Sequence, residues 1–310
     1  MRLIFLGTPD FAVPSLEKIA NSKHEILCVV TQPDKPRGRN GEVSFSPVKE
    51  CALKHGLKVL QYNKIRFEGV EDLKALKPDI MVTCAFGQIL SQEIIDIAPH
   101  GIINVHGSLL PKYRGASPIQ WSILNGDKET GITIMKTEAG IDTGDILFVK
   151  KTPVKEDETA GELFDRLSVL GAEMIVDALD KIEAGDVHPQ KQDDSQATVV
   201  KMLKKEDGEI NWNDTAEKIY NQVRGMNPWP SAYTFLNGKM LKIHSAKVSE
   251  ESGDAGKVLK ADKQSLLVGC GKGSLEIKTL QLEGSKKMDY YSFLLGRKIE
   301  KGDILGVKND

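Results

Sequence analysis

The stretch Gly101-Ile102-Ile103-Asn104-Val105-His106-Gly107-Ser108-Leu109-Leu110-Pro111 decides how the chain is read. It is an apolar strand that turns polar on one side as it ends. Successive side chains of a strand point to opposite faces, so Ile103 and Val105 share one face while Asn104 and His106 share the other. A turn through Pro111 follows, and then Lys112-Tyr113-Arg114-Gly115. Two uncharged hydrogen-bonding groups therefore leave the sheet together, where open α/β proteins bind their ligands. A donor amide beside a titratable imidazole suits acyl transfer. Asn104 can hold an oxygen that becomes negative, and His106 can stabilise that charge or move a proton. A single histidine at a strand end is more often structural, so the chemistry needs a further partner.

Outward from this strand, residues 1–185 alternate strand-like and helix-like segments. Strands are predicted at Arg2–Leu6, Glu25–Thr31, Lys58–Leu60, Asp79–Thr83, Gly101–Val105, Gly131–Lys136 and Ile146–Lys151. Helices are predicted at Val13–Asn21, Pro47–Lys54, Val70–Leu76, Ser91–Ile97, Ser117–Leu124 and Ala160–Ala184. Such alternation predicts an α/β fold with a doubly wound, mostly parallel sheet. Gly7-Thr8-Pro9-Asp10 fills the first strand-to-helix turn without the three-glycine dinucleotide fingerprint, which argues against a nicotinamide or flavin. Glu138-Ala139-Gly140-Ile141-Asp142-Thr143-Gly144-Asp145 joins two of the strands. Aspartate is common in glycine-rich turns without any chemistry. Asp142 gains weight from its conjunction with Asn104 and His106.

From Gly185 the pattern loses its period and becomes polar, as in a linker or in structure lying on the first domain. Beyond it, a short helix around Ile219–Val223 is followed by strands at Ser231–Leu236, Lys239–Ala246, Gly256–Leu259, Ser265–Gly269 and Leu275–Leu282. Asn237-Gly238 is a hairpin signal between the first two. Short strands with glycine-rich turns suggest a small β-barrel. The expected division is a catalytic domain over 1–185, a linker over 186–205 and a second domain over 206–310.

A chain of 310 residues is long enough for two cores. Its 40% hydrophobic and 28% charged content excludes disordered and fibrous classes. No segment has the length of a membrane span or the form of a signal peptide. Cys28, Cys51, Cys84 and Cys270 are far apart with no CxxC pair, and the histidines show no paired-ligand spacing, so no metal and a cytoplasmic setting are expected. The net charge of −2 argues against a generally basic nucleic-acid coat. Any polyanion must be held locally. The loop Gln32–Pro47, about 16 residues rich in Pro and Gly, is unusually long for a compact domain. It carries Lys35, Arg37 and Arg39, which could grip phosphates or merely be solvated. Lys201, Lys204, Lys205, Lys286 and Lys287 form weaker clusters, and Trp229 between two prolines reads as core.

The run Asn104–Pro111 with Arg114-Gly115, joined to Gly140–Asp145, resembles the 10-formyltetrahydrofolate-dependent formyltransferases. Gly7-Thr8-Pro9-Asp10-Phe11-Ala12, Gln32-Pro33-Asp34-Lys35-Pro36 and Asn227-Pro228-Trp229-Pro230 are similar to the branch of that family that acts on methionyl-tRNA. The resemblance runs from residue 1 to near the C-terminus. It implies that Asn104, His106 and Asp142 are the catalytic set, and that Ser108, Leu109, Leu110 and Pro111 contact the folate. It also implies that Gln88 and Ile89, in the loop Ala85–Leu90, line the folate pocket. The Gln32–Pro47 loop would enter the tRNA acceptor end, with Arg39 on the matched arginine. Asn40-Gly41-Glu42-Val43 stands where relatives often have more lysines, which thins that grip. The second domain would be OB-like. The implied reaction moves the formyl group of 10-formyltetrahydrofolate to the α-amine of methionyl initiator tRNA, for translation initiation, with the chain expected to act as a monomer. Another formyltransferase or a formyltetrahydrofolate hydrolase using the same Asn/His/Asp set is the alternative. A non-catalytic tRNA-binding protein is a third reading, and the intact set argues against it.

Overall fold

The computed structural model describes residues 1–37, 42–297 and 299–307. The chain folds as two compact units, neither of them continuous in sequence. The first comprises Met1–Gly115, Glu129–Pro153 and Phe164–Val200; the second comprises Ala116–Lys128, Val154–Leu163 and Lys201–Asp310. The sequence reading placed 116–128 and 154–163 with the first domain, and they group with the second instead. Most of the expected linker, up to Val200, belongs to the first unit.

In chain order the strands are β1 (Arg2–Gly7), β2 (Glu25–Thr31), β3 (Lys35–Arg37), β4 (Glu42–Ser44), β5 (Val59–Gln61), β6 (Ile80–Cys84), β7 (Ile102–His106), β8 (Arg114–Gly115), β9 (Glu129–Lys136), β10 (Ile146–Pro153), β11 (Val199–Val200), β12 (Ala232–Leu236), β13 (Lys239–Ser249), β14 (Val258–Ala261), β15 (Leu266–Gly269), β16 (Ser274–Leu282) and β17 (Met288–Asp289). The helices are α1 (Val13–Ala20), α2 (Pro47–Lys54), α3 (Ile65–Glu68), α4 (Val70–Leu76), α5 (Gln92–Ile95), α6 (Pro118–Leu124), α7 (Ala160–Ala184), α8 (Ala216–Gly225) and α9 (Tyr290–Gly296).

The first unit is built on a seven-stranded sheet ordered β10-β9-β7-β6-β1-β2-β5. Strands β1, β2, β5, β6 and β7 run parallel, and β9 and β10 add an antiparallel edge. Leu3 to Leu6 and Ile80 to Val82 are wholly buried, as continuous apolar strands are when both faces of a parallel sheet are covered. From β1 the chain moves outward to β2 and β5, then returns to β6 on the other side of β1. The order reverses between β1 and β6, and ligand sites of such sheets open at the carboxyl ends of the strands there. Asn104 and His106 lie at the carboxyl end of β7, beside β6.

The segment before the second unit is polar, yet its backbone is paired. Val199 and Val200 lie parallel to Arg114 and Gly115, and Gln190 bridges to Ile146. These hydrogen bonds, rather than apolar burial, attach it to the first unit.

The second unit is an antiparallel sheet ordered β12-β13-β16-β15-β14, with β17 added to β16. Asn237 and Gly238 both take left-handed φ, 48° and 75°, as a two-residue hairpin requires. Register shifts between Ile243 and Ala246 bend β13. Ile219 and Val223 of α8 join Leu241, Ile277 and Leu280 of the sheet in one core. On its other side α8 meets α6: a Cβ on Gly225 would stand 2.9 Å from Leu124 Cδ2. That approach is why α6 belongs with residues far along the chain.

Candidate active site

Thr83 of β6 is the sheet neighbour of Asn104, and its hydroxyl donates to Asn104 Oδ1 at 3.0 Å. The same hydroxyl lies 3.2 Å from the Ile103 carbonyl. With its oxygen engaged, the Asn104 amide turns its Nδ2 donors the other way, where they meet no partner among the described residues. A half-buried amide held by its oxygen, with both N–H bonds free, is suited to receive an oxyanion.

His106 is buried, and its Nε2 lies 3.0 Å from the Tyr113 carbonyl. A carbonyl can only accept, so Nε2 donates. Nδ1 lies 3.7 Å from Asp142 Oδ2, a charge contact longer than a hydrogen bond. Asp142 sits at φ 51°, left-handed, a conformation aspartate tolerates better than most residues. The Gly115 N–H donates to Asp142 Oδ2 at 2.8 Å, while Oδ1 has no hydrogen-bond partner among the described residues. Gly115 is itself at φ 97°, and a Cβ there would stand 2.5 Å from the Val200 carbonyl oxygen. Only glycine fits.

The turn after β7 is closed by its own polar groups. Ser108 Oγ donates to the Lys112 carbonyl at 2.6 Å, Thr133 Oγ1 donates to the Ser108 carbonyl at 2.7 Å, and the Leu110 N–H donates to Thr133 Oγ1 at 3.1 Å. Ser108 and Leu110 are buried, whereas Leu109 and Pro111 are half-buried. The Tyr113 N–H donates to Thr198 Oγ1 at 2.8 Å. From the same segment, Gln192 donates to the carbonyls of Asp142 and Gly144 at 2.8 and 2.7 Å. It accepts in turn from Arg114 Nε at 3.0 Å, and Arg114 Nη2 pairs with Asp194 at 2.7 Å. Thr83, Gln192 and Thr198 escape the sequence reading because their partners lie far along the chain.

The loop after β6 is tied down as firmly. Gln88 accepts from the Ile65 N–H at 2.8 Å and donates to the Tyr62 carbonyl at 2.8 Å, so its side chain is committed within the fold. Gln32 donates to the carbonyls of Phe86 and Gly87, and Thr8 donates to that of Phe86. Ile89, by contrast, is 73% exposed. Gly87 is at φ 80° and a Cβ there would be near only Gln32 Nε2, at 3.4 Å.

Of the three loop cations, Lys35 is exposed on β3 and Arg37 ends that strand, while Arg39 lies outside the described residues. Lys49 is spent internally on Asp34 and on Gln61. Burial would raise the Asp34 carboxyl, but the hydrogen bonds from Lys49 and Gln61 outweigh it and hold the group below its ordinary value. Cys84, beside Thr83, is wholly buried and its thiol is pushed up to about 12, which leaves no thiolate nucleophile at neutral pH. Two groups of metal-ligating types, Glu17/Cys51/His55 and His24/Asp180/Glu183, occur among the described residues, and neither includes a residue of this site.

Residues 1–179 match the formyl transferase family model, and residues 202–298 match the formyl transferase C-terminal domain. A methionyl-tRNA formyltransferase of Geobacter sulfurreducens is 49% identical over 99% of this chain and 97% of its own length. One from Lachnospira eligens is 48% identical over 99% of this chain and its entire length. The chain belongs to the methionyl-tRNA formyltransferase family. Solved members of the wider formyltransferase fold superpose on it. An N-formyltransferase from Helicobacter canadensis, in complex with folinic acid and dTDP-3-aminofucose, gives a TM-score of 0.70 at 21% identity, covering 92% of this chain and 99% of that one. A methionyl-tRNA formyltransferase from Clostridium thermocellum gives 0.55 at 22% identity, covering 82% of this chain and 95% of that one.

Proposed function

We propose that this formyltransferase moves the formyl group of 10-formyltetrahydrofolate to the α-amine of methionyl initiator tRNA, giving N-formylmethionyl-tRNA. The observation that carries the reading is the free Asn104 amide beside the His106–Asp142 pair, in a chain near half identical to methionyl-tRNA formyltransferases over its whole length. Those full-length relatives favour the tRNA substrate over a formyltetrahydrofolate hydrolase.

The folate supplies the activated formyl carbon. Asn104 Nδ2 donates to the formyl oxygen as the substrate amine adds and charge builds on it. His106, on the same face of β7 as Asn104 and held between the Tyr113 carbonyl and Asp142, supports that charge from beside it. The open Oδ1 of Asp142 takes the proton of the attacking nitrogen, directly or through water. A new N–C bond to the methionyl amine forms, the bond to N10 of the folate breaks, and the proton returns to N10. No covalent enzyme intermediate is required.

Leu109, Pro111 and exposed Ile89 offer apolar contact to a flat ring from the loops of adjacent strands β7 and β6, and open Gly87 lets it approach the backbone. Ser108, Leu110 and Gln88 shape those loops from within. Lys35, Arg37 and Arg39 take phosphates of the tRNA, and the second unit, with the residues after Lys205, adds further contacts. His106, Asp142 and the loops beside them come from one unit of one chain, so the site needs no second copy, which supports a monomer as the acting form.

Incubation with charged initiator tRNA and 10-formyltetrahydrofolate should yield formylmethionyl-tRNA. Asn104→Ala should lower turnover by about 10²–10³-fold with folate affinity kept. Near-normal turnover of that variant would make Asn104 structural and the mechanism wrong.

A further inference from the structure

Asp142 has to be held in a left-handed conformation in a loop with almost no apolar anchor. Glu138, Ala139, Gly140, Ile141 and Thr143 are all exposed, so the surrounding side chains cannot fix it by packing. Gly144 presses so close to β9 that a Cβ would stand 1.9 Å from the Lys136 carbonyl oxygen. The remaining restraint is polar, and most of it comes from a segment some fifty residues further on.

We propose that Gln192 is the positioning residue for Asp142, with Arg114 as its anchor. The argument is one of donor count. A carboxamide has two N–H bonds and one carbonyl oxygen. Gln192 spends its donors on the Asp142 and Gly144 carbonyls, at 2.8 and 2.7 Å, and so sets the direction of the Asp142–Thr143 and Gly144–Asp145 peptide groups. Its oxygen accepts from Arg114 Nε, which fixes which end of the amide faces the loop. Arg114 is buried, paired with Asp194 and hydrogen-bonded through its N–H to the Thr198 carbonyl at 2.8 Å. The next residue, Gly115, gives its N–H to the Asp142 carboxylate. One rigid dipeptide therefore fixes Asp142 twice, at the carboxylate through Gly115 and at the main chain through Arg114 and Gln192. The 190–200 segment serves the site without touching substrate.

The inference rests on the formyl-transfer reading, and the test separates the two. Wild type, Gln192→Ala, Gln192→Glu, Asp142→Asn and the Gln192→Ala/Asp142→Asn double variant are assayed for formylmethionyl-tRNA. Gln196→Ala, on the same segment but off this network, is the control and should match wild type. Gln192→Ala should lose about 10²-fold in kcat, the scale of a small misplacement of a catalytic group, with KM for both substrates unchanged. Gln192→Glu keeps the volume and the acceptor for Arg114 but turns a carboxylate toward two carbonyls, so it should lose as much while folding normally. The double variant should be no slower than Asp142→Asn alone, because residues acting as a unit are non-additive. Wild-type kcat in Gln192→Glu, or fully additive losses in the double variant, would overturn the role of Gln192. Inactivity of the wild-type protein would instead overturn the formyl-transfer reading.

Discussion

A neutral imidazole has one N–H, and His106 meets an oxygen at each of its nitrogens: the Tyr113 carbonyl at Nε2 and Asp142 at Nδ1. The ring is therefore oriented before any substrate arrives. His244, in the second unit, is a different kind of histidine. Burial pushes its pKa below the ordinary 6.5, Lys287 and Lys242 add to that, and the hydrogen bond to Gln281 opposes it only in part. Above pH 6.5 the folded and unfolded chains are both neutral there. As pH falls through 6.5 the unfolded chain takes up a proton that the folded one resists, so stability is lost in that direction. Melting temperature should fall more steeply below pH 6.5 in wild type than in His244→Gln; parallel curves would show that His244 is not the group responsible. Strand alternation made Asn104 and His106 legible, and a carboxylate with no packing role drew attention to Asp142. Thr83 and Gln192 carried no such mark. Threonine in an apolar strand and glutamine in a polar stretch are ordinary, and their partners lie 21 and 50 residues away.

At the scale of elements, period and capping decided what could be read. Helix α2 has Ser46 as its N-cap, accepting from the Lys49 N–H, and Pro47 at its first position, and its predicted ends match the observed ones. The predicted α4 and α7 match as well, whereas α5 covers only Gln92–Ile95 of the expected Ser91–Ile97. The elements that went unread, β3, β4, β8, β11, β17 and α3, have two to four residues, too few to carry a period, whereas the equally short β5, β14 and β15 were marked by apolar runs between turn signals. The seven-residue α9 was missed too, with Tyr290, Tyr291 and Ser292 in place of a clear apolar stripe. The β3–β4 ribbon pairs Lys35 with Ser44 and Arg37 with Glu42, giving backbone order to part of a loop that read only as long and cationic. Replacing Lys35, Arg37 or Arg39 by alanine should each flatten the log–log salt dependence of tRNA binding by nearly one unit per lost phosphate contact. Arg39→Glu should raise KM for charged tRNA more than Arg39→Ala, with folate binding unchanged. Small, equal effects at all three positions would place the polymer elsewhere.

At the scale of the molecule, the two units interleave along the chain, which no local pattern announces. Helix α6 was legible as a helix; its partner was not, because Gly225 lies beyond the whole first unit. A chain cut after Lys205 should therefore not behave as a clean first domain. It keeps α6 and loses α8, baring Ile119 and Ile123, which are buried in the intact protein. Such a fragment should bind a hydrophobic dye and self-associate in sedimentation, while the full chain does neither. A monodisperse, dye-silent fragment would mean that α6 finds other cover. The same interleaving sets a timetable for the ribosome. Helix α6 is synthesised about 90 residues before α8, an interval of roughly 5–20 s at ordinary elongation rates. Through that interval an apolar helix emerges without its mate, so this chain should need a holding chaperone earlier in its synthesis than its orderly first sheet would suggest.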